Sequence, residues 1–239
     1  MSGISTTAER RLLGEVPVLI IRPAGATMPL PTVLWFHGLG ADKELHLSEL
    51  QRFAAAGLLA VGVDAVGHGQ RSLRDFEQQF AQPHVHREAL FNGLVARTVA
   101  ELPGLLDLLV DSGLSDPQRL AVAGVSMGAC ITYGAVSADR RIRAAVALLG
   151  SPAGLFTEDV NASVAHFFPT ALLSITAEND MVVPPAAARA LHERLAIHYA
   201  GQPERLAYRV MAGAPHFMNA ADWIRAIADA RTWLVRFVG

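Results

Sequence analysis

Residues 120–134 read LAVAGVSMGACITYG. The small, apolar, partly β-branched run at 120–125 has the look of a buried strand, and the run after Met127 that of a helix. The one hydroxyl, on Ser126, therefore stands at a strand-to-helix junction, with Gly124 and Gly128 two positions to either side. A nucleophile elbow has this form: a sharp turn holds the serine at sparsely populated backbone angles and lifts its hydroxyl clear of the sheet, leaving no room for flanking side chains. An ordinary strand-to-helix turn also uses glycine, so the rest of the chain must supply a base, an acid and an oxyanion site.

Working outward, short apolar runs alternate with helical periodicity, the mark of a mostly parallel sheet covered by helices on both faces. Strands are predicted at 16–22, 32–38, 58–64, 120–126, 144–150, 170–177 and 205–213. Helices are predicted at 44–56, ending at Gly57 in a left-handed cap, at 184–199, and at 220–238, with two more, 85–97 and 100–112, in the long connection before residue 116. No linker or internal repeat interrupts the 239 residues, which read as a single α/β domain over 1–239. Residues 151–169 are long enough for a flap and too short for a separate cap domain.

Composition narrows the class. Half the residues are hydrophobic (51%), enough for a sizeable core, and 20 Lys and Arg against 22 Asp and Glu leave a net charge of −2. That balance gives no footprint for nucleic acid or an anionic membrane, so a small-molecule partner is expected. One cysteine, Cys130, the absence of an apolar leader in MSGISTTAERRLLGEV and the lack of any run long enough to span a bilayer point to the cytoplasm. A homodimer is allowed and nothing in the sequence requires it.

Serine needs a base within hydrogen-bond reach and an acid to orient that base. Of nine histidines, His216 is best placed, in AGAPHFMN after the last strand and just before the final helix. His192 and His198 fall in a predicted helix and read as packing or solvated residues; His84 and His86 would point to different helix faces, with no third ligand at metal spacing. The acid is expected between serine and histidine: Asp180, in TALLSITAENDMVVPP, is favoured, with Glu178 as the rival and helix capping as Asp180's structural alternative. Two backbone N–H groups should face the oxyanion, those of Met127 at the helix start and Leu39 in FHGLGADK. Apolar neighbours Met181, Phe217 and Met218 are candidate substrate contacts favouring a short or medium hydrophobic group, and Arg71 and Arg74 are weaker candidates for an anionic one. No metal or cofactor is called for.

With 37–39 (HGL), 124–128 (GVSMG), Asp180 and His216 in that order, the chain resembles the α/β-hydrolase family from about residue 16 to the last helix. Within it, the sequence is most similar to small lidless serine carboxylesterases related to dienelactone hydrolases and to the catalytic domains of prolyl oligopeptidases. The resemblance implies an acyl-enzyme mechanism: Ser126 attacks the ester carbonyl, His216 takes the proton and later activates water, Asp180 holds His216, and the amides of Leu39 and Met127 bind the oxyanion. Residues 61–72, VGVDAVGHGQRS, match a stretch common there whose histidine is ordinarily structural, which sets His68 aside as the base. Two departures stand out: dienelactone hydrolases use cysteine where this chain has Ser126, and Ala177 occupies a position where glycine is usual. Peptide, thioester or peroxyacid chemistry on the same three residues, and a catalytically silent ligand-binding fold, are the competing functions.

Overall fold

The computed structural model describes residues 5–155 and 164–239. Eight strands, β1 (Thr6–Leu13), β2 (Val16–Pro23), β3 (Leu30–Phe36), β4 (Leu59–Val63), β5 (Ser115–Val125), β6 (Ile142–Leu148), β7 (Ala171–Ala177) and β8 (Leu206–Met211), form one sheet in the order β1-β2-β4-β3-β5-β6-β7-β8. Strand β2 pairs antiparallel with β1 and β4; all the other pairings are parallel. Six helices are described: α1 (Leu47–Ala54), α2 (Phe76–Phe80), α3 (His84–Asp111), α4 (Met127–Ala138), α5 (Ala186–Leu195) and α6 (Ala220–Val238).

The central strands are near-continuous apolar runs because both faces are covered. One face packs against α3, α4 and α5, through residues such as Leu106, Tyr133 and Leu191; the other packs against α1 and α6, through Phe53, Ile227 and Leu234. Helix α4 enters the core almost whole, with Met127 through Val136 all buried. No helix among the described residues is long and apolar enough to cross a membrane.

Three expectations change. Strand β1 went unpredicted because it is an exposed edge strand: TTAERRLL shows little apolar alternation and pairs only with β2. The helices expected at 85–97 and 100–112 are one helix of 28 residues, α3, running through Pro103. Its buried residues Leu94, Val95, Thr98, Leu102, Leu105, Leu106 and Leu109 keep helical spacing across the proline, so packing carries the helix past a residue that would end an exposed one. Short α2, none of whose residues is buried, was also missed. Of the region considered for a flap, residues 156–163 lie outside the described residues.

The order of the strands fixes where a ligand can sit. From β3 the chain moves to one side, to β4, and then returns to β5 on the other side of β3, so the crevice beyond the carboxyl ends of β3 and β5 is a topological switch point. The loop at 37–40 leaves the first of these strands and Ser126 leaves the second.

Candidate active site

Ser126 ends β5 with φ 56° and ψ −115°, a conformation that side-chain-bearing residues rarely adopt. Its neighbours show why. A Cβ on Gly128 would lie 2.0 Å from the carbonyl oxygen of Phe36, and one on Gly124 would lie 2.5 Å from the backbone of Gly128. The turn thus presses α4 against β3 closely enough that only glycine fits at both flanks, and the Ser126 N–H is tied back to Leu148 O at 2.8 Å. Strain at the serine is held in place by packing on three strands.

His216, in the loop between β8 and α6, places Nε2 3.1 Å from Ser126 Oγ and Nδ1 2.7 Å from Asp180 Oδ2. Asp180 is buried, and its second oxygen accepts the N–H groups of Val182 (2.9 Å) and Val183 (2.7 Å). One carboxylate oxygen therefore orders the turn before α5 while the other holds the imidazole; Asp180 does not cap α5 itself, whose N-cap is Pro185 with no side-chain hydrogen bond. Glu178 does neither: its Oε2 accepts the Gly213 N–H at 2.7 Å.

The loop after β3 is pinned by His37. Its Nε2 accepts the N–H of Ala65 at 3.1 Å, so the proton sits on Nδ1, which donates to Gly38 O at 2.8 Å. Burial lowers the His37 pKa to about 4, which keeps the ring neutral in this role. The loop passes close to the elbow, since a Cβ on Gly38 would meet Ser126 Cβ at 3.7 Å. Met127 is the first residue of α4, where an amide has no partner within its own helix, and both it and Leu39 line the cavity that Ser126 opens into.

That cavity has a volume of about 780 Å³ and mostly apolar walls, including Leu39, Phe91, Leu149, Val183 and Met218. Phe217 and Met218 line it, Phe217 from a largely exposed rim. Met181 does not: it is 90% exposed, because turning Asp180 inward toward His216 leaves the next side chain pointing to solvent. Cys130 lines the cavity and also belongs to the core, and burial pushes its thiol pKa up.

Residues 12–150, more than half the chain, match the acetyl xylan esterase (AXE1) family. The chain belongs to that family. It is 26% identical over 258 residues to the protein YitV of Bacillus subtilis (strain 168), covering 95% of this chain and 98% of that one. It is 27% identical over 179 residues to esterase YjfP of Escherichia coli (strain K12), covering 74% and 68%. The crystal structure of TT1662 from Thermus thermophilus superposes with a TM-score of 0.71 at 24% identity, over 96% of this chain and 98% of that one. The fold is that of the α/β-hydrolases and the protein is an ester hydrolase.

Within this acetyl xylan esterase family member, the remaining candidates take structural places. His68 is buried, has Nδ1 3.0 Å from Val66 O and does not reach Ser126. Arg71 is committed to Asp64 O and Glu101, which removes it as a receptor for an anionic substrate. His192 is a packing residue, while His84 and His86 are exposed on α3. Among the described residues no group of three or more His, Cys, Asp or Glu side chains could hold a metal ion. Sequence reading missed two features. Asp64, buried, accepts Lys43 N, Lys43 Nζ and Gln70 N, each at 2.9 Å, and a Cβ on Gly69 would strike its carboxylate at 2.2 Å. His46 and Trp223 line the cavity with no local motif to announce them.

Proposed function

We propose that the protein hydrolyses carboxylic esters of small, hydrophobic, short- to medium-chain substrates through an acyl-enzyme formed on Ser126. His216 Nε2 takes the Ser126 proton as Oγ attacks the carbonyl, and Asp180 stabilises the imidazolium that results. The N–H groups of Leu39 and Met127 receive the oxyanion, where the positive end of α4 adds to their effect. His216 then protonates the leaving alcohol and deprotonates the water that releases the acid. The observation that carries this reading is the unbroken chain from Ser126 Oγ through His216 to Asp180, at 3.1 and 2.7 Å, on the wall of an apolar cavity.

Acetyl groups are the acyl class that the family's description names, and the apolar walls extend the proposal to somewhat longer chains. The reading takes 1–239 as one catalytic unit, working in the cytoplasm on small-molecule esters without nucleic acid; light scattering on the purified chain distinguishes monomer from homodimer. A panel of p-nitrophenyl esters of increasing acyl length tests the chemistry. Wild type should turn over the short and medium esters, and Ser126→Ala should lose about four or more orders of magnitude in kcat. Equal rates in the two proteins would sink the proposal.

A further inference from the structure

Besides His216, His46 is the only histidine or charged side chain among the described residues that line the cavity. It precedes α1, and its side chain is 13% exposed. Trp35 meets the imidazole edge-on, with ring centroids 5.3 Å apart, and Trp223 lies against it at 5.5 Å. These two indoles fix the plane of the ring.

Glu49 faces its Nδ1. One turn along α1, its Oε2 is 3.8 Å from His46 Nδ1, a charge contact longer than a hydrogen bond. The same carboxylate accepts Ser48 Oγ–H and Trp223 Nε1–H, each at 2.8 Å. Burial raises the Glu49 pKa, but the facing His46 imidazole, and after it the Trp223 and Ser48 donors, hold it down to about 2, so the group is an ionised acceptor at neutral pH. A carboxylate facing Nδ1 favours the tautomer with the proton on Nδ1. In the neutral ring that leaves Nε2 as a bare acceptor, and no partner for it occurs among the described residues.

A histidine serving only to pack between two indoles would not need a buried carboxylate beneath it, because burying a charge costs free energy unless its contacts are used. We infer that His46 is a substrate-binding residue whose Nε2 accepts a hydrogen bond from a hydroxyl on the substrate, with Glu49 as the positioning residue that sets the ring's tautomer. The protein then prefers esters carrying a free hydroxyl near the ester bond over the same esters with that hydroxyl capped. This inference rests on the proposed function, in that the ester occupies the cavity beside Ser126.

Two measurements test it. The first compares 2-hydroxyethyl acetate with 2-methoxyethyl acetate. Wild type should favour the hydroxy ester by about tenfold in kcat/KM, as one hydrogen bond to a fixed acceptor supplies, and the ratio should fall to near one in His46→Phe. A ratio near one in wild type would overturn the inference while leaving Ser126-dependent turnover, and so the proposed function, intact. The second measurement needs no turnover. In the full chain labelled with 15N-histidine, imidazole NMR should show His46 in the Nδ1–H tautomer above pH 7.5, and Glu49→Gln should shift it toward Nε2–H. In Ser126→Ala, added hydroxy ester should move the His46 Nε2 resonance and the methoxy ester should not. An Nε2–H tautomer in the otherwise unaltered chain, or equal responses to both esters, would overturn the inference even if His46→Phe failed to fold.

Discussion

Among the described residues there are two serine–histidine hydrogen bonds, and they sit in opposite surroundings. Ser126 and His216 meet at 3.1 Å on the wall of the cavity; Ser174 and His192 meet at 2.7 Å inside the layer between β7 and α5. Ser174 lies on a regular strand, is fully buried, and shares its hydroxyl with Tyr133 OH at 2.8 Å. No carboxylate orients His192 among the described residues, and burial drops its pKa to about 4. The Tyr133 hydroxyl, wholly enclosed, is pushed up by burial. Ser126 has what Ser174 lacks: a strained backbone, an acid behind the base and room for a substrate. A serine–histidine pair alone is a packing device; the turn, the acid and the cavity are what make it a candidate for chemistry.

The largest predicted effect breaks the symmetry between the pairs. Ser126→Ala should abolish esterase activity by about four or more orders of magnitude, whereas Ser174→Ala should keep kcat within a few-fold. Its cost should instead be about 1–3 kcal/mol of stability, read by urea unfolding, because Tyr133 and His192 are left without their shared partner. Next, Asp180→Asn should lose about two to four orders of magnitude in kcat by presenting His216 with a donor instead of an acceptor, while Glu178→Gln stays near wild type. Gly128→Ala should act on fold and site together. Its Cβ would sit 2.0 Å from Phe36 O, so stability should fall by about 1–3 kcal/mol and activity should drop as α4 shifts away from β3.

The last prediction leaves activity aside and concerns pH. His192 and His37 both have pKa values of about 4 in the folded chain, below the 6.5 of a free imidazole. The unfolded chain binds protons at these sites between pH 6.5 and 4 where the folded one does not, so stability falls as the pH drops through that window. Each contributes about 3 kcal/mol across it. In His192→Gln the loss between pH 7 and 4.5, measured from unfolding midpoints, should be visibly shallower than in wild type; an unchanged slope would show that His192 is not held neutral.

What the sequence revealed of the fold depended on burial. Strands buried on both faces, such as 59–63 and 171–177, announce themselves as apolar runs, and α6 was legible to its end residues from a single apolar stripe. Exposed β1 and unburied α2 leave no such pattern, and α3 reads as two helices, 85–97 and 100–112, because the continuity of its buried stripe is a tertiary fact. The site divided in the same way. Ser126, Asp180 and His216 sit at element ends where motif and chain order constrain them, and the structure brings the three within hydrogen-bonding distance. Met181 failed because a turn that points one side chain inward points the next one out. Glu49 and Trp223, 174 residues apart, meet only because α1 and α6 pack on the same face of the sheet, and no local signal could have paired them with His46.

The account turns on Ser126 being the one nucleophile, and covalent labelling tests that most directly. Wild-type protein treated with a fluorophosphonate and digested should carry one adduct per chain, on Ser126, with Ser174 unmodified. The label should vanish in Ser126→Ala and persist in Ser174→Ala. An adduct on another residue in the wild type, or undiminished labelling of Ser126→Ala, would contradict the account.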